Sequence, residues 1–269
     1  MIKDITIGQY YPTGSVIHQL DPRTKLNVTL LYIIFLFVVN NLVGYLVAFL
    51  FLVAMILLSK IPVRYVARGL KPLILIIVLT VVLNMFWTQG TVIAQFWIFK
   101  ITDNGLRMAI NMGVRLVLLV SGTSLMTLCT STIALTDGME MLMKKIPLVR
   151  RVAHELSMMM SIALRFIPTL TDETDRIMKA QKSRGADFES GKLISRAKAM
   201  IPILVPLFVS AFQRANELAM AMEARCYQGG SGRTRLKELK YARRDAVAYA
   251  ISFAVMAILF ATRFLPLRW

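Results

Sequence analysis

From Leu26 to Ser59 the chain carries no charged residue over 34 consecutive positions. As one helix this run would be roughly 51 Å long, well beyond a hydrocarbon core of about 30 Å. Asn40-Asn41 and the following Gly44 divide it into two shorter spans. The rest of the chain agrees with a bilayer: of 269 residues, 57% are hydrophobic and 17% charged, where soluble domains have about half and about a quarter. Asp21-Pro22 starts the first span, with Asp as cap and Pro at the first helical position, where its missing N–H leaves nothing unsatisfied. Three further spans follow, at Pro72 to about Trp87, Gly105 to about Ile133 (interrupted by Arg115) and Ala246 to Thr262. Between the third and fourth, Gln89 to Asn104 reads as an exposed hairpin, with Trp97 and Phe99 suited to the membrane interface.

The formal net charge of +17 is placed between these apolar runs, as in the cytoplasmic loops of membrane proteins, and so does not call for nucleic acid. The connector "KIPVRYVARGLKP" supplies Lys60, Arg64, Arg68 and Lys71, and Ala134 to Asp245 holds 20 basic and 12 acidic residues. The loop between the first two spans has no basic residue, and the hairpin has Lys100 alone. By this asymmetry the connector and the long segment face the cytoplasm, with the N-terminus inside and the C-terminus outside. The opening "MIKDITIGQYYPTG" contains Asp4 and no apolar core, so it does not read as a cleavable signal peptide. The expected organisation is a cytoplasmic N-terminal segment at 1–25, four spans at 26–133, a cytoplasmic helical domain at 134–245, and the fifth span with a tail at 246–269. Cys129 and Cys226 lack CxxC spacing and clustered His, and both read as small buried thiols with no metal role.

Within the long segment apolar residues recur at helical spacing. Leu156, Met159, Ala163, Phe166, Leu170 and Ile177 mark one helix face ending near Ser183, and Leu193, Ala197, Met200, Leu204, Phe208, Phe212 and Met222 a second ending near Arg225. The uncharged stretch "AMIPILVPLFVSAF" in the second is shorter than a normal span, which favours a helix lying partly in the interface. Pro168, Pro202 and Pro206 are expected to kink these helices. The predicted fold is therefore all-α: a polytopic membrane protein of about five transmembrane helices with long cytoplasmic or interfacial helices.

Both long helices end in related sequences. "KSRGADFESGK" and "EARCYQGGSGR", 41 residues apart, share a small residue, Arg, five variable positions and Ser-Gly-basic. Five residues separate Gly185 from Gly191-Lys192, with Leu193 next, so a phosphate loop is excluded: that needs four residues between its glycines and Ser or Thr after Lys. Two readings remain. In the local one, Arg complements the negative helix end and Gly takes the left-handed closing conformation. In the other, two rigid helix tips each present a planar guanidinium to a partner's groove.

Met-rich runs at 138–147 and at Leu156–Ser161 suit surfaces that repack against changing partners, or simply fill a core. Arg115 either faces protein or water with a functional role or snorkels to an interface opposite to that of Arg107. His18 and His154 read as interface or cap residues, and no pairing of groups suggests catalysis. A secondary transporter should show inverted repeats and broken helices at mid-membrane, and a membrane hydrolase should show paired catalytic groups within spans; the sequence offers neither.

"SVIHQLDPRTKL", "ALRFIP" at 163–168 and the paired ends "KSRGADF" and "EARCYQGG" together resemble the transmembrane T component of energy-coupling factor vitamin transporters, over essentially the whole chain. The resemblance implies a non-catalytic, cofactor-free subunit of the bacterial cytoplasmic membrane, joining two cytoplasmic ABC-type ATPases to a small membrane S component that binds the vitamin. It also implies that the tripeptides Ser183-Arg184-Gly185 and Ala224-Arg225-Cys226 each dock one ATPase, and that Met158, Met159 and Met160 meet the exchangeable S component. A T component dedicated to a cobalt, nickel or biotin system is the neighbouring alternative.

Overall fold

A computed structural model describes residues 10–96, 99–144, 146–147, 149–186, 188, 193–227 and 239–262. The helices are α1 (Pro22–Val38), α2 (Leu42–Ser59), α3 (Val63–Leu70), α4 (Ile74–Trp87), α5 (Asp103–Cys129), α6 (Thr132–Met143), α7 (Arg150–Ser183), α8 (Leu193–Ala224) and α9 (Arg243–Thr262). Strands β1 (Val92–Phe96) and β2 (Phe99–Thr102) pair antiparallel where the hairpin was expected. Trp97 lies outside the described residues. Among the described residues the fold is all-α apart from this one ribbon.

Among the described residues five helical stretches are long and apolar enough to cross a membrane: Leu42–Ser59, Val63–Trp87, Asp103–Cys129, Lys198–Ala224 and Arg243–Thr262. The number matches the expectation and the membership does not. α1 has 17 residues, and its first turn is given to Arg23, Thr24 and Lys25, all buried in protein. α8 qualifies because it continues past Phe212 with Arg214 and Glu217 as the only charges before Glu223. Pro168 lies inside α7, and Pro202 and Pro206 inside α8. The third span also begins earlier than expected. The basic connector is itself helical as α3 and continues through a short 3-10 turn, Lys71–Leu73, into α4. The fourth ends at Cys129, and Ile133 belongs to α6.

The chain folds as two compact units, one of Gly8–Leu142 with Glu238–Trp269 and the other containing Met143–Lys237. In the first, α1 packs on α5 and α9, and α2 on the same two helices. Tyr32, Leu36, Ala48, Leu118, Leu125, Met256 and Leu259 form its core. Close approach is set by Gly122, where an added Cβ would stand 2.5 Å from the Tyr32 ring. Gly44 does not break the first apolar run; it lies inside α2, against Val39 and Thr262. The break falls at Val39–Asn41, and Arg115 holds it. Its Nη2 donates to Val39 O at 2.9 Å, Asn40 Oδ1 at 2.9 Å and the Tyr45 hydroxyl at 3.0 Å, so Arg115 faces protein rather than snorkelling. By contrast α4 has no buried residue; Leu75 is 79% exposed and Trp87 83%. In the second unit α7 packs against α8.

Candidate functional site

The two long helices end alike. At the end of α7, Ala186 N donates to Gln181 O at 3.0 Å and Gly185 N to Lys182 O at 3.0 Å; at the end of α8, Tyr227 N donates to Met222 O at 3.1 Å and Cys226 N to Glu223 O at 2.8 Å. These are the paired six-to-one and five-to-two bonds that close a helix through a left-handed residue. That residue is Gly185, at φ +88°, in one and Cys226, at φ +54°, in the other. Arg184 and Arg225 therefore occupy the same cap position, one residue before the reversal, and both are exposed. Because backbone N–H groups satisfy the last carbonyls, closure of either helix does not depend on a guanidinium.

Cys226, not a glycine, supplies the second left-handed residue, and Gly229-Gly230 lie outside the described residues. Cys226 is also exposed, which corrects the expectation of a buried thiol: its backbone reversal carries it past the last turn and away from packing. Cys129 is buried as expected. The Ser-Gly-basic halves of the repeat lie outside the described residues.

An ion pair between Arg214 of α8 and Glu173 of α7 ties the helices together. Its partners are 41 residues apart, the same offset as the repeat, so the pair stands eleven residues before Arg184 on one helix and eleven before Arg225 on the other. The Tyr227 hydroxyl donates to Met158 Sδ at 3.1 Å, so the end of α8 lies beside an earlier part of α7 and the two run antiparallel. From this contact the two C-terminal halves run in opposite directions, which separates the Arg-bearing ends by roughly 33 Å along the pair for straight helices. The sequence offered a signal for this contact, an acid and a base at the repeat offset. Of the Met run, Met158 is half-buried against Tyr227, while Met159 and Met160 are 54% and 43% exposed.

"LDPRTKL" builds a clamp in the other unit. Asp21 caps α1 by accepting from Arg23 N at 2.9 Å, and takes the Arg23 guanidinium through Nε at 3.0 Å and Nη2 at 2.7 Å. Arg23 also donates to Leu239 O at 2.9 Å and lies 4.0 Å over the Tyr241 ring. Asp245, in the first turn of α9, accepts from Asp21 N and Ala242 N, both at 2.8 Å. Lys25 donates to His18 O and Cys129 O. Burial raises the Asp21 carboxyl, but the Arg23 hydrogen bonds and charge outweigh it and leave its pKa below the usual value. His18 takes Ser15 Oγ on Nδ1 at 2.7 Å and faces Tyr11 O from Nε2 at 2.9 Å, and burial lowers its pKa. His18 is thus a hub of the N-terminal segment; the side chain of His154 is outside the described ones.

Comparison with known proteins agrees with these features. Residues 13–236 match the profile of the CbiQ family, described as cobalt transport protein. The chain is 55% identical to the energy-coupling factor transporter transmembrane protein EcfT of Clostridium kluyveri, over 98% of both chains. It is 52% identical to that of Thermosediminibacter oceani, over 96% of this chain and 97% of the relative, and 45% identical to that of Bacillus subtilis, over 98% and 100%. With the clamp, the two like helix ends and the membrane helices in place, a likeness of this extent has one meaning: the chain belongs to the family of transmembrane components of energy-coupling factor transporters.

Proposed function

We propose that the chain is the non-catalytic coupling subunit of an ATP-driven importer, joining two cytoplasmic ABC-type ATPases to a vitamin-binding membrane S component. The observation that carries this reading is the pair of like helix ends, each with an exposed Arg at the same cap position and set at opposite ends of one antiparallel pair. A spacing of roughly 33 Å is too wide for one groove and suits two subunits. Movement of the ATPases toward each other would then act on both arms of a linked lever, with Ser183-Arg184-Gly185 and Ala224-Arg225-Cys226 as its contacts. The exposed Met159 and Met160 would meet the S component. The basic connector and helical domain favour a cytoplasmic N-terminus in the cell membrane. Vitamin transport is preferred to a dedicated metal system because the relatives above are named for the energy-coupling factor transporter alone, although the family profile bears the word cobalt.

The test is co-purification of the ATPases with folded Arg184→Ala, Arg225→Ala and the double variant. Removing an Arg that fills a desolvated pocket weakens binding by roughly 2 to 4 kcal/mol, or about 30-fold or more. Two anchors on one body support each other, so single variants should retain the ATPases with reduced transport and the double variant should release them. Recovery of ATPases by the double variant at the wild-type level would end the docking reading.

A further inference from the structure

α1, α2, α5 and α9 enclose a cavity that the packing of the first unit leaves unfilled. Its volume of about 190 Å³ is more than ten times the roughly 10–15 Å³ that one water occupies by the same measure. The wall is apolar, with Tyr32, Phe51, Leu52, Met55, Leu125 and Ile251 among its residues. Of its polar members, Lys25 Nζ is turned onto two carbonyls and the Tyr32 hydroxyl onto Leu118 O, while Thr24 Oγ1 is buried without a partner. A stable buried water needs two to four polar partners, and the Thr24 hydroxyl supplies one.

The cavity occupies one half of the helix height. Its lining takes Val16, Ile17 and Leu20 from the segment before α1 and runs from Thr24 to Tyr32 on α1, Phe51 to Leu58 on α2, Gly122 to Cys129 on α5 and Arg244 to Ser252 on α9, a depth of about 12 Å along the helices. On its open side Leu58, Val247 and Ile251 are more than half exposed, and α2 and α9 are both span-forming helices. The opening therefore faces hydrocarbon. At the end of the slot stands the exposed Arg244, whose Nη1 donates to Gln19 Oε1. A guanidinium has five N–H donors, so further donors are available to a phosphate. The nearby Asp245 carboxylate is already engaged, both oxygens accepting backbone N–H groups, and the N-terminus of α9 adds positive potential.

We propose that this cavity holds an acyl chain of an anionic phospholipid, with its phosphate on Arg244. A cation at the end of an apolar slot open to the membrane matches that amphiphile in both halves, and the lipid would then be an integral part of the α1–α2–α9 packing.

The test uses the whole transporter complex, stripped of lipid in detergent and examined by native mass spectrometry with added phosphatidylglycerol or phosphatidylcholine. One phosphatidylglycerol per copy of this chain should be retained, with a preference over phosphatidylcholine of roughly five-fold or more, the effect of one basic group at a membrane surface. Arg244→Gln should abolish the preference while keeping a bound chain. Ala248→Phe and, independently, Met55→Trp should fill the slot and abolish retention in complexes that still assemble. Equal retention of both lipids by the wild type, or undiminished retention by whichever filled variant assembles, would overturn the proposal.

Discussion

Gly185 and Cys226 perform the same backbone task with different residues, and the difference is measurable. An added Cβ at Gly185 meets nothing within 4 Å, so Gly185→Ala should act through backbone strain alone, destabilising the end of α7 by about 1 kcal/mol. Cys226 already bears that strain at φ +54°, so Cys226→Gly should stabilise the end of α8 by a similar amount. Amide exchange across Gln181–Ala186 and Met222–Tyr227 should accelerate in the first variant and slow in the second; the same direction in both would show that the two ends are not equivalent. A second residue-scale effect concerns pH. The lowered pKa of His18 means that the folded segment binds fewer protons than the unfolded one below the ordinary value of 6.5. Its stabilising effect is thus complete above pH 6.5 and lost as pH falls through the folded value. Asp21, lowered from 3.8, acts in the same sense further into acid. Protection factors in residues 11–20, which are measured against the intrinsic slowing of exchange in acid, should therefore fall on acidification beginning below pH 6.5, and His18→Gln should remove that step.

At the scale of elements, the sequence was most legible where a helix end has local chemistry. Asp21-Pro22 placed the start of α1, Ser183 the end of α7, and Leu193 the start of α8, because caps and left-handed closures are written in neighbouring residues. The boundaries it misplaced depend on contacts far along the chain. Gly44 reads as a breaker, but its role is to let α2 approach Val39 and Thr262. α1 reads as an ordinary span, but its charged first turn is buried by Asp245 and Leu239, more than 200 residues away. The Asp21–Arg23 pair is nearly enclosed, with side chains 3% and 10% exposed. Removing one member leaves a buried charge, so Asp21→Ala should destabilise by roughly 3 to 5 kcal/mol, read as a lower inactivation temperature of the purified complex. The half-exposed Glu173–Arg214 pair should behave differently. Exchanging the two charges should keep the helices together, and a double-mutant cycle should give a coupling of about 0.5 to 1 kcal/mol; a coupling near zero would remove this pair as the tie between α7 and α8.

The whole molecule turns on which side of the membrane the helix ends occupy, and Cys226 makes that observable. It is exposed beside Arg225, while Cys129 is buried, so the native chain carries one accessible and one protected thiol among the described residues. Basic residues between the spans favour a cytoplasmic position for α7 and α8, whereas the apolar length of α8, enough to cross a bilayer, pulls its placement the other way. The Arg214–Glu173 pair bears on it, since an ion pair is expensive in hydrocarbon and ordinary at a wet interface. A membrane-impermeant maleimide applied to intact cells should leave Cys226 unmodified, and the same reagent on inside-out vesicles stripped of ATPases should label it. Labelling from outside would reverse the orientation and place the repeat on the wrong side for any cytoplasmic partner. Readdition of the ATPases should then protect Cys226 while the Arg225→Glu variant stays reactive, because a carboxylate at an already negative helix end opposes docking. Protection that is equal in wild type and Arg225→Glu would mean that the thiol is covered by something other than an Arg225-directed partner.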